Sequence, residues 1–209
     1  RGATTLITNC LLERSGDKTA LITTKGFRDI LEIGKEWRYD IYDLFLKMPE
    51  PLVPRQLRLG VTERIDHKGD VIQALDISEL KDILKFFKDE DVRSIAICFL
   101  HSFKNPVHER AARDIVQQML PEVEVCISSE VIPEIREFER CSTVVANAYV
   151  LPVARKHFAN LRRKLKDTGV GGRTFIMHSG GGVLTTERAE QLPIRMVESG
   201  PAAGVMAGL

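Results

Sequence analysis

The chain has 209 residues, enough to bury a hydrophobic core in one large or two small domains. Its 30 Lys and Arg nearly balance its 29 Asp and Glu, so no chain-wide electrostatic field favours a nucleic acid or an anionic membrane as partner. No apolar run approaches the length of a membrane span, and the four scattered cysteines favour reduced thiols and a cytoplasmic protein.

The first part of the chain predicts short elements separated by glycines and prolines. These are a helix over 4–14 that Gly16 ends, a strand over 19–24, a short helix within 26–34, an irregular loop over 37–54, and a hairpin of 57–65 with 71–74 that turns at Gly69.

The middle of the chain has the pattern of an α/β unit. Asp76 and Glu79 have capping-box spacing at the start of an amphipathic helix. The apolar run 92–100 predicts a buried strand of a parallel sheet. A second helix begins after Asn105-Pro106 and is followed by a strand over 123–127. We therefore expect 92–100 to be a central strand, with Ile95, Ile97 and Phe99 buried.

Residues 134–167 predict a long helical segment with a break near Pro152. After the proline, four residues at helical spacing are expected to face inward: Val153, His157, Leu161 and Leu165. The many basic residues around them favour a solvated face, with phosphate binding as the less favoured alternative.

The last segment predicts a strand that ends in a glycine loop, then a helix of small residues. Ser199 is a candidate N-cap for that helix, and Pro201 fits its first turn. A plain turn and a dinucleotide-binding loop are the alternatives for the glycines. The dinucleotide fingerprint G-x-G-x-x-G matches weakly, because its third glycine position is Thr185. We expect 179–182 to lie close to 199–200 and to line a cleft.

Five stretches, in order along the chain, resemble the hydantoinase/oxoprolinase family, specifically its hydantoinase-A-type subunit (N-methylhydantoinase A, 5-oxoprolinase and acetone carboxylase beta subunit). They are TTLITNCLLER (4–14), TALITTKGFRDILEIG (19–34), LHSFKNPVHER (100–110), SSEVIPEIREFER (128–140) and SGGG with ESGPAAG (179–182, 198–204). The family has His-Gly before the paired threonines, where this chain has Gly2-Ala3, so a role of that histidine does not carry over.

The resemblance implies an internal fragment of an actin-like (ribonuclease-H-like) ATPase fold with an inserted α/β unit. It implies that 1–75 and 76–130 belong to the N-terminal hydantoinase/oxoprolinase domain, and that 131–209 form a helical connection and the start of the hydantoinase A core. It further implies ATP and Mg²⁺ as cofactors, a cyclic amide or a ketone as substrate, and a hydantoinase-B-type partner subunit or domain. The family's two Asp-x-Gly-Gly-Thr phosphate hairpins do not occur in this sequence, so we expect no ATP hydrolysis by this chain alone.

We hypothesise an ATP-dependent hydrolase that activates a cyclic amide carbonyl by phosphorylation. The alternatives are an ATP-dependent ketone carboxylase subunit and a nucleotide-gated assembly module whose partner carries the chemistry. Catalytic residues are not assigned, no metal site is inferred from His101 or His108, and His178 is expected to be structural. Helix capping is the alternative role for Thr4, Thr5 and Asn9, and surface ion pairing for Arg136 and Arg140. The candidate cleft residues are Thr4, Thr5, Asn9, Arg136, Arg140, Ser179, Gly180, Gly181, Gly182, Ser199 and Gly200.

Overall fold

A computed structural model describes residues 5–36, 40–169, 172 and 174–208. For residues 206–208 it describes the backbone alone. The chain forms two compact units. We call Lys18–Val145 the sheet unit, and Arg1–Asp17 together with Ala146–Leu209 the hairpin unit.

The sheet unit is built on four parallel strands: β1 Thr19–Thr24, β2 Arg58–Val61, β5 Ser94–Cys98 and β6 Glu124–Ile127. Their order in the sheet is β2-β1-β5-β6. The chain passes from β1 to β2 on one side and then crosses to β5 on the other side of β1. The carboxyl ends of β1 and β5 therefore form a topological switch point, where open α/β sheets bind ligands.

The expected central strand is confirmed. Ile95, Ile97 and Phe99 are completely buried, and β5 pairs with a strand on each side. Buried parallel strands need cover on both faces, which explains the continuous apolar run. The helices of this unit are α2 Ile30–Ile33, α3 Ile77–Asp89, α4 Val107–Met119, α5 Ser128–Val131 and the first residues of α6 Glu137–Asp167.

The predicted hairpin is only half correct. Strands β3 (Arg64–Ile65) and β4 (Val71–Gln73) pair antiparallel, and Gly69 lies in their turn at a φ of 99°. The first half of the predicted strand, however, is β2 of the parallel sheet. Thr62 and Glu63 separate the two strands, because each is hydrogen-bonded to another element of the unit.

The capping box at α3 is also half formed. Asp76 accepts a hydrogen bond from the Glu79 amide at 2.9 Å. The Glu79 carboxylate does not return to Asp76, since it accepts from the Thr62 amide and from Lys25 Nζ, both at 2.7 Å. Burial raises the pKa of Glu79, but these hydrogen bonds outweigh it, and the net pKa lies below its ordinary value.

We predict a pH-dependent loss of stability from this carboxylate. A pKa lowered by folding means that ionised Glu79 stabilises the native state at neutral pH, and that this contribution disappears as the pH falls below about 4.5. The gap in unfolding free energy between wild type and Glu79→Gln should therefore shrink from pH 7 to pH 3.5 in urea titrations. A gap that stays constant over this range would contradict the prediction.

The hairpin unit contains α1 Leu6–Leu12, most of α6, the strands β7 Phe175–Met177 and β8 Val183–Thr185, α7 Thr186–Gln191 and α8 Ser199–Gly208. A short 3-10 helix, Pro193–Met196, joins α7 to α8. Strands β7 and β8 pair antiparallel. Among the described residues, no helix combines the length and apolar character needed to span a membrane.

The expected break at Pro152 is wrong, because α6 is continuous through it. Proline removes one backbone hydrogen bond, and here the surrounding side chains are packed tightly enough to keep the helix intact. The buried stripe consists of Leu151, Ala154 and Phe158. It is displaced from the predicted inward positions, which are half-buried: Val153, His157, Leu161 and Leu165. The basic residues of the helix after Pro152 are exposed, as the solvated-face interpretation expects.

Candidate functional site

The glycine loop connects β7 to β8 as a tight hairpin. The His178 amide donates to the Gly182 carbonyl, and the Gly181 amide donates to the His178 carbonyl, each at 3.0 Å. Gly181 has a φ of 80°, which L-residues rarely adopt. A dinucleotide-binding loop requires a strand followed by a helix, so the antiparallel hairpin excludes that alternative.

Two of the three glycines make room for the ring of His178. A Cβ atom at Gly182 would lie 2.5 Å from His178 Nε2, and one at Gly180 would lie 3.0 Å from Cε1. The Gly180 amide donates to His178 Nδ1 at 3.1 Å, so the proton of the neutral imidazole is on Nε2. His178 therefore shapes this loop from within, in agreement with the structural role expected for it.

The glycine loop is tied to the segment that precedes α8. Ser179 donates to the Arg195 carbonyl from its amide at 2.9 Å and from its hydroxyl at 3.1 Å. The Glu198 amide donates to Thr8 Oγ1 of α1 at 3.2 Å. The residues around Arg195 and Glu198 thus connect to the glycine loop and to α1, which carries the candidate residues Thr5 and Asn9.

Ser199 is the first residue of α8 and is not its cap. Glu198 before it has a φ of 57°, a conformation that is unusual for a side chain of this size. Ser199 is completely buried, and its hydroxyl has no hydrogen-bond partner. A buried unpaired hydroxyl costs about 1–3 kcal/mol. Because the helix start also presents free amide groups, the residues here suit an acceptor oxygen of a ligand.

The other candidate residues of the hairpin unit have ordinary surroundings. Thr5 and Asn9 are exposed, and the Thr5 side chain makes no capping hydrogen bond to α1. Gly200 has open space where a side chain would be. Thr4 lies outside the described residues.

In the sheet unit, Arg136 lines a groove of about 520 Å³. It is exposed, has a φ of 85°, and lies 3.7 Å from Glu139 as an ion pair. Phe27, Ile30 and Phe138 contribute apolar surface to the groove. Lys35 pairs with Glu139 at 2.8 Å and lowers the pKa of that carboxyl.

Arg140 is buried inside the sheet unit, where it supports the loop after β5. Its Nη2 donates to the Phe99 carbonyl at 2.7 Å, and its guanidinium lies 5.3 Å from the ring centre of Phe103. The Phe99 amide donates to the buried carboxylate of Glu109 at 2.9 Å. Two buried side chains, Arg140 and Glu109, therefore bind the carbonyl and the amide of Phe99. Arg140 makes this interior contact within the sheet unit, and its place in the cleft stays a prediction.

Glu109 joins β5 to β6 as well. Its carboxylate also accepts from the Ser128 hydroxyl at 2.6 Å and from the Ser129 amide at 2.8 Å. It is completely buried.

A second buried polar cluster lies at the carboxyl ends of β1 and β5. His108 Nδ1 is 2.8 Å from Glu63 Oε2, and the other oxygen of Glu63 accepts from the Thr24 hydroxyl. Thr24 in turn accepts from the Leu100 amide at 3.0 Å. This cluster was not predicted from the sequence. Its only signal was the pair His108-Glu109 within a family-like motif.

The four cysteines are buried, and none of the four forms a disulfide bond. A hydrogen bond between Cys98 and Cys141 lowers the pKa of the Cys98 thiol and raises that of Cys141, while burial raises the pKa of Cys10. Among the described residues, no cluster of three His, Cys, Asp or Glu side chains could hold a metal ion.

The parallel sheet with its covering helices places the sheet unit in the α/β class, as predicted. The chain belongs to the hydantoinase/oxoprolinase family. Residues 1–120 match the hydantoinase/oxoprolinase N-terminal region, and residues 140–209 match the hydantoinase/oxoprolinase domain.

Several relatives match nearly the whole chain. Over 99% of it, the chain is 35% identical to caprolactamase subunit alpha of Pseudomonas jessenii, 33% to acetophenone carboxylase gamma subunit of Aromatoleum aromaticum and 33% to 5-oxoprolinase of Saccharomyces cerevisiae. A crystal structure of the ATP-dependent caprolactamase of Pseudomonas jessenii superposes on 99% of the chain with a TM-score of 0.92 and 34% identity. The chain spans only 30%, 30% and 18% of the lengths of the three relatives, and 30% of the caprolactamase chain.

Proposed function

We propose that this chain is part of an ATP-dependent hydrolase that opens a cyclic amide. The observation that supports it most is the likeness to the ATP-dependent caprolactamase, which extends over 99% of the chain at a TM-score of 0.92. An amide carbon resists attack by water. Transfer of a phosphoryl group from ATP to the amide oxygen would make that carbon more electrophilic, so that water could add to it and the ring C–N bond could break with the protonated nitrogen as the leaving group; hydrolysis of the acyl phosphate would then release phosphate. The protein's task is then to orient the amide and neutralise charge.

We assign the candidate cleft to the hairpin unit, at the glycine loop and the start of α8. The unpaired hydroxyl of Ser199 and the amides of Ser199 and Gly200 fit a phosphate or carbonyl oxygen. Thr4, Thr5 and Asn9 remain candidate contacts. In the sheet unit, Arg136 is the candidate because it is exposed beside a groove. The described residues offer no Mg²⁺ ligand cluster, so we assign no role to any of them in holding that ion. We also propose a cytoplasmic location, which four cysteines without a disulfide bond favour.

The proposed function is tested by ATP turnover of the full-length protein with its partner subunit. Phosphate release should rise at least about tenfold when a lactam, 5-oxoproline or a hydantoin is added, because substrate completes the reactive geometry. Stimulation only by an aromatic or aliphatic ketone with bicarbonate would favour the carboxylase alternative. The likeness to acetophenone carboxylase gamma subunit is the observation behind that alternative. Nucleotide binding without stimulation by either class would favour the assembly module.

We predict that the 209-residue chain alone does not hydrolyse ATP. Phosphoryl transfer requires Mg²⁺ and groups that bind the phosphates, and the two Asp-x-Gly-Gly-Thr hairpins that the family resemblance implies for this purpose do not occur in this sequence. The measurement is Mg²⁺-dependent phosphate release by the purified chain, compared with a mock purification from cells that lack it. Turnover above that background would contradict the prediction.

A further inference from the structure

One face of the four-stranded sheet carries two cysteines that lie against the start of α6. Ala96 of β5 pairs with Cys126 of β6, and side chains alternate along a strand, so Cys98 lies on the same face as Cys126. The Cys126 thiol donates to the Val144 carbonyl of α6 at 3.6 Å. The first turns of α6 therefore cover this face of the sheet.

Cys141 brings a third thiol to the same interface from α6 itself. It lies about one helical turn before Val144 and is completely buried. A hydrogen bond joins its side chain to that of Cys98, which is only 4% exposed. Both residues belong to the interior of the sheet unit, so their contact does not depend on what covers the outside of that unit.

Arg140 places a positive charge beside this pair. Its guanidinium donates at 2.7 Å to the carbonyl of Phe99, the residue after Cys98. The side chain is buried, and its Nε and Nη1 have no hydrogen-bond partner among the described residues. A buried guanidinium is stabilised by a neighbouring anion, and a thiolate is the anion that a cysteine supplies.

The surroundings favour ionisation of Cys98 over that of Cys141. The hydrogen bond from Cys141 and the charge of Arg140 lower the pKa of Cys98, against the effects of burial and of the negative charge of Glu109. The same hydrogen bond and burial raise the pKa of Cys141 well above its ordinary value. One thiol is thus suited to attack, and its neighbour remains protonated beside it.

We propose that Cys98 and Cys141 form a redox-active dithiol, which hydrogen peroxide oxidises to a disulfide between β5 and α6. The Cys98 thiolate attacks one peroxide oxygen, so that an S–O bond forms, the O–O bond breaks, and the hydroxide released takes up a proton. The Cys141 sulfur then attacks the sulfenic acid, and an S–S bond forms as the S–O bond breaks with loss of water. In total two thiols lose two electrons, and the peroxide becomes two molecules of water.

The test is peroxide oxidation of the full-length protein at neutral pH, followed by alkylation of the remaining thiols and peptide mapping. Trypsin separates the three cysteines of the interface into peptides 94–104, 114–136 and 141–155. The first and third peptides should appear cross-linked, lighter than their sum by about 2 Da, the mass of two hydrogen atoms. Dithiothreitol should reverse the cross-link.

Cys126 is the control within the same interface. It is 9% exposed, more than Cys98 or Cys141, so access alone would make it react first. Loss of its thiol should nevertheless be at least about tenfold slower than formation of the cross-link, because oxidation follows the thiolate fraction. In urea the difference should disappear, because the fold creates it.

Two reciprocal variants assign the roles within the pair. Cys141→Ala should accumulate a sulfenic acid at Cys98 that dimedone traps, because Arg140 still favours the thiolate and the resolving thiol is absent. Cys98→Ala should leave Cys141 unlabelled at the same peroxide dose. The cross-link itself is measured on the wild-type protein, so it tests the proposal even where a variant loses stability.

Three results would overturn the proposal. Oxidation of Cys126 as fast as that of Cys98 would mean that access and not the thiolate decides the reaction. A cross-link from Cys98 to Cys126 in place of Cys141 would assign the wrong partner. The absence of any cross-link in the folded protein, at a dose that oxidises the cysteines in urea, would mean that packing keeps peroxide from the pair.

Discussion

Replacing Glu109 with alanine should lower the free energy of unfolding by about 3 kcal/mol or more, the largest effect expected for a single change in the sheet unit. The carboxylate is completely buried and accepts hydrogen bonds from the Phe99 amide, the Ser128 hydroxyl and the Ser129 amide. Alanine leaves these two amides without an acceptor, and each unpaired group costs about 1–3 kcal/mol. Urea unfolding at neutral pH measures the difference.

A change on the same helix provides the matched control. Asp114 lies in α4 as well, but its side chain is 58% exposed and pairs with the neighbouring Arg113. Asp114→Ala should change the unfolding free energy by no more than about 0.5 kcal/mol, because an exposed ion pair contributes little. Equal losses for the two variants would contradict a dominant contribution of the buried network at Glu109, since alanine has the higher helix propensity at both positions.

The buried network also shows which parts of this fold were readable from sequence. The strand over 92–100 was predictable because strands flank it on both sides and helices cover its faces, and full burial leaves an unmistakable apolar run. The cluster of Thr24, Glu63 and His108 was not predictable, because Glu63 is 39 residues from Thr24 and 45 from His108. No local pattern encodes a contact that only the assembled sheet creates.

The errors in prediction have the same physical origin. The rule that proline ends a helix describes an isolated helix, and at Pro152 the packing of Ala154 and Phe158 overrides it. Arg140 sits in a charged stretch that is typical of a surface helix, yet it is buried against the Phe99 carbonyl and the Phe103 ring. Local propensity is a weak guide wherever tertiary contacts compensate for it.

The glycine loop was located correctly, but the purpose of its individual glycines required the structure. Gly181 needs its positive φ, whereas Gly180 and Gly182 leave space for the His178 ring. A valine at Gly181 would be strained by the backbone alone, so a stability loss there says little about a cleft. A substitution at Gly182 is more informative, because its new Cβ would clash with the side chain of His178, which a second substitution can remove.

Gly182→Ala should therefore lower the unfolding free energy by about 1–3 kcal/mol, the usual cost of overpacking. Its new Cβ would lie 2.5 Å from His178 Nε2. In a His178→Ala background the same change should cost less than about 0.5 kcal/mol, which gives a coupling energy in a double-mutant cycle. Gly204→Ala is the control. Nothing lies within 4 Å of the position that its new methyl group would take, and a helical glycine replaced by alanine should gain up to about 1 kcal/mol.

The double variant of this cycle decides whether the loop serves only the fold. If the proposed cleft is correct, His178→Ala/Gly182→Ala should recover its thermal midpoint yet bind ATP more weakly per folded molecule in the full-length protein. The reason is that the loop, which Ser179 ties to the segment before α8, loses His178 Nδ1 as the acceptor of the Gly180 amide. Recovery of both the midpoint and the ATP affinity would show that the glycines make room for an imidazole and nothing else.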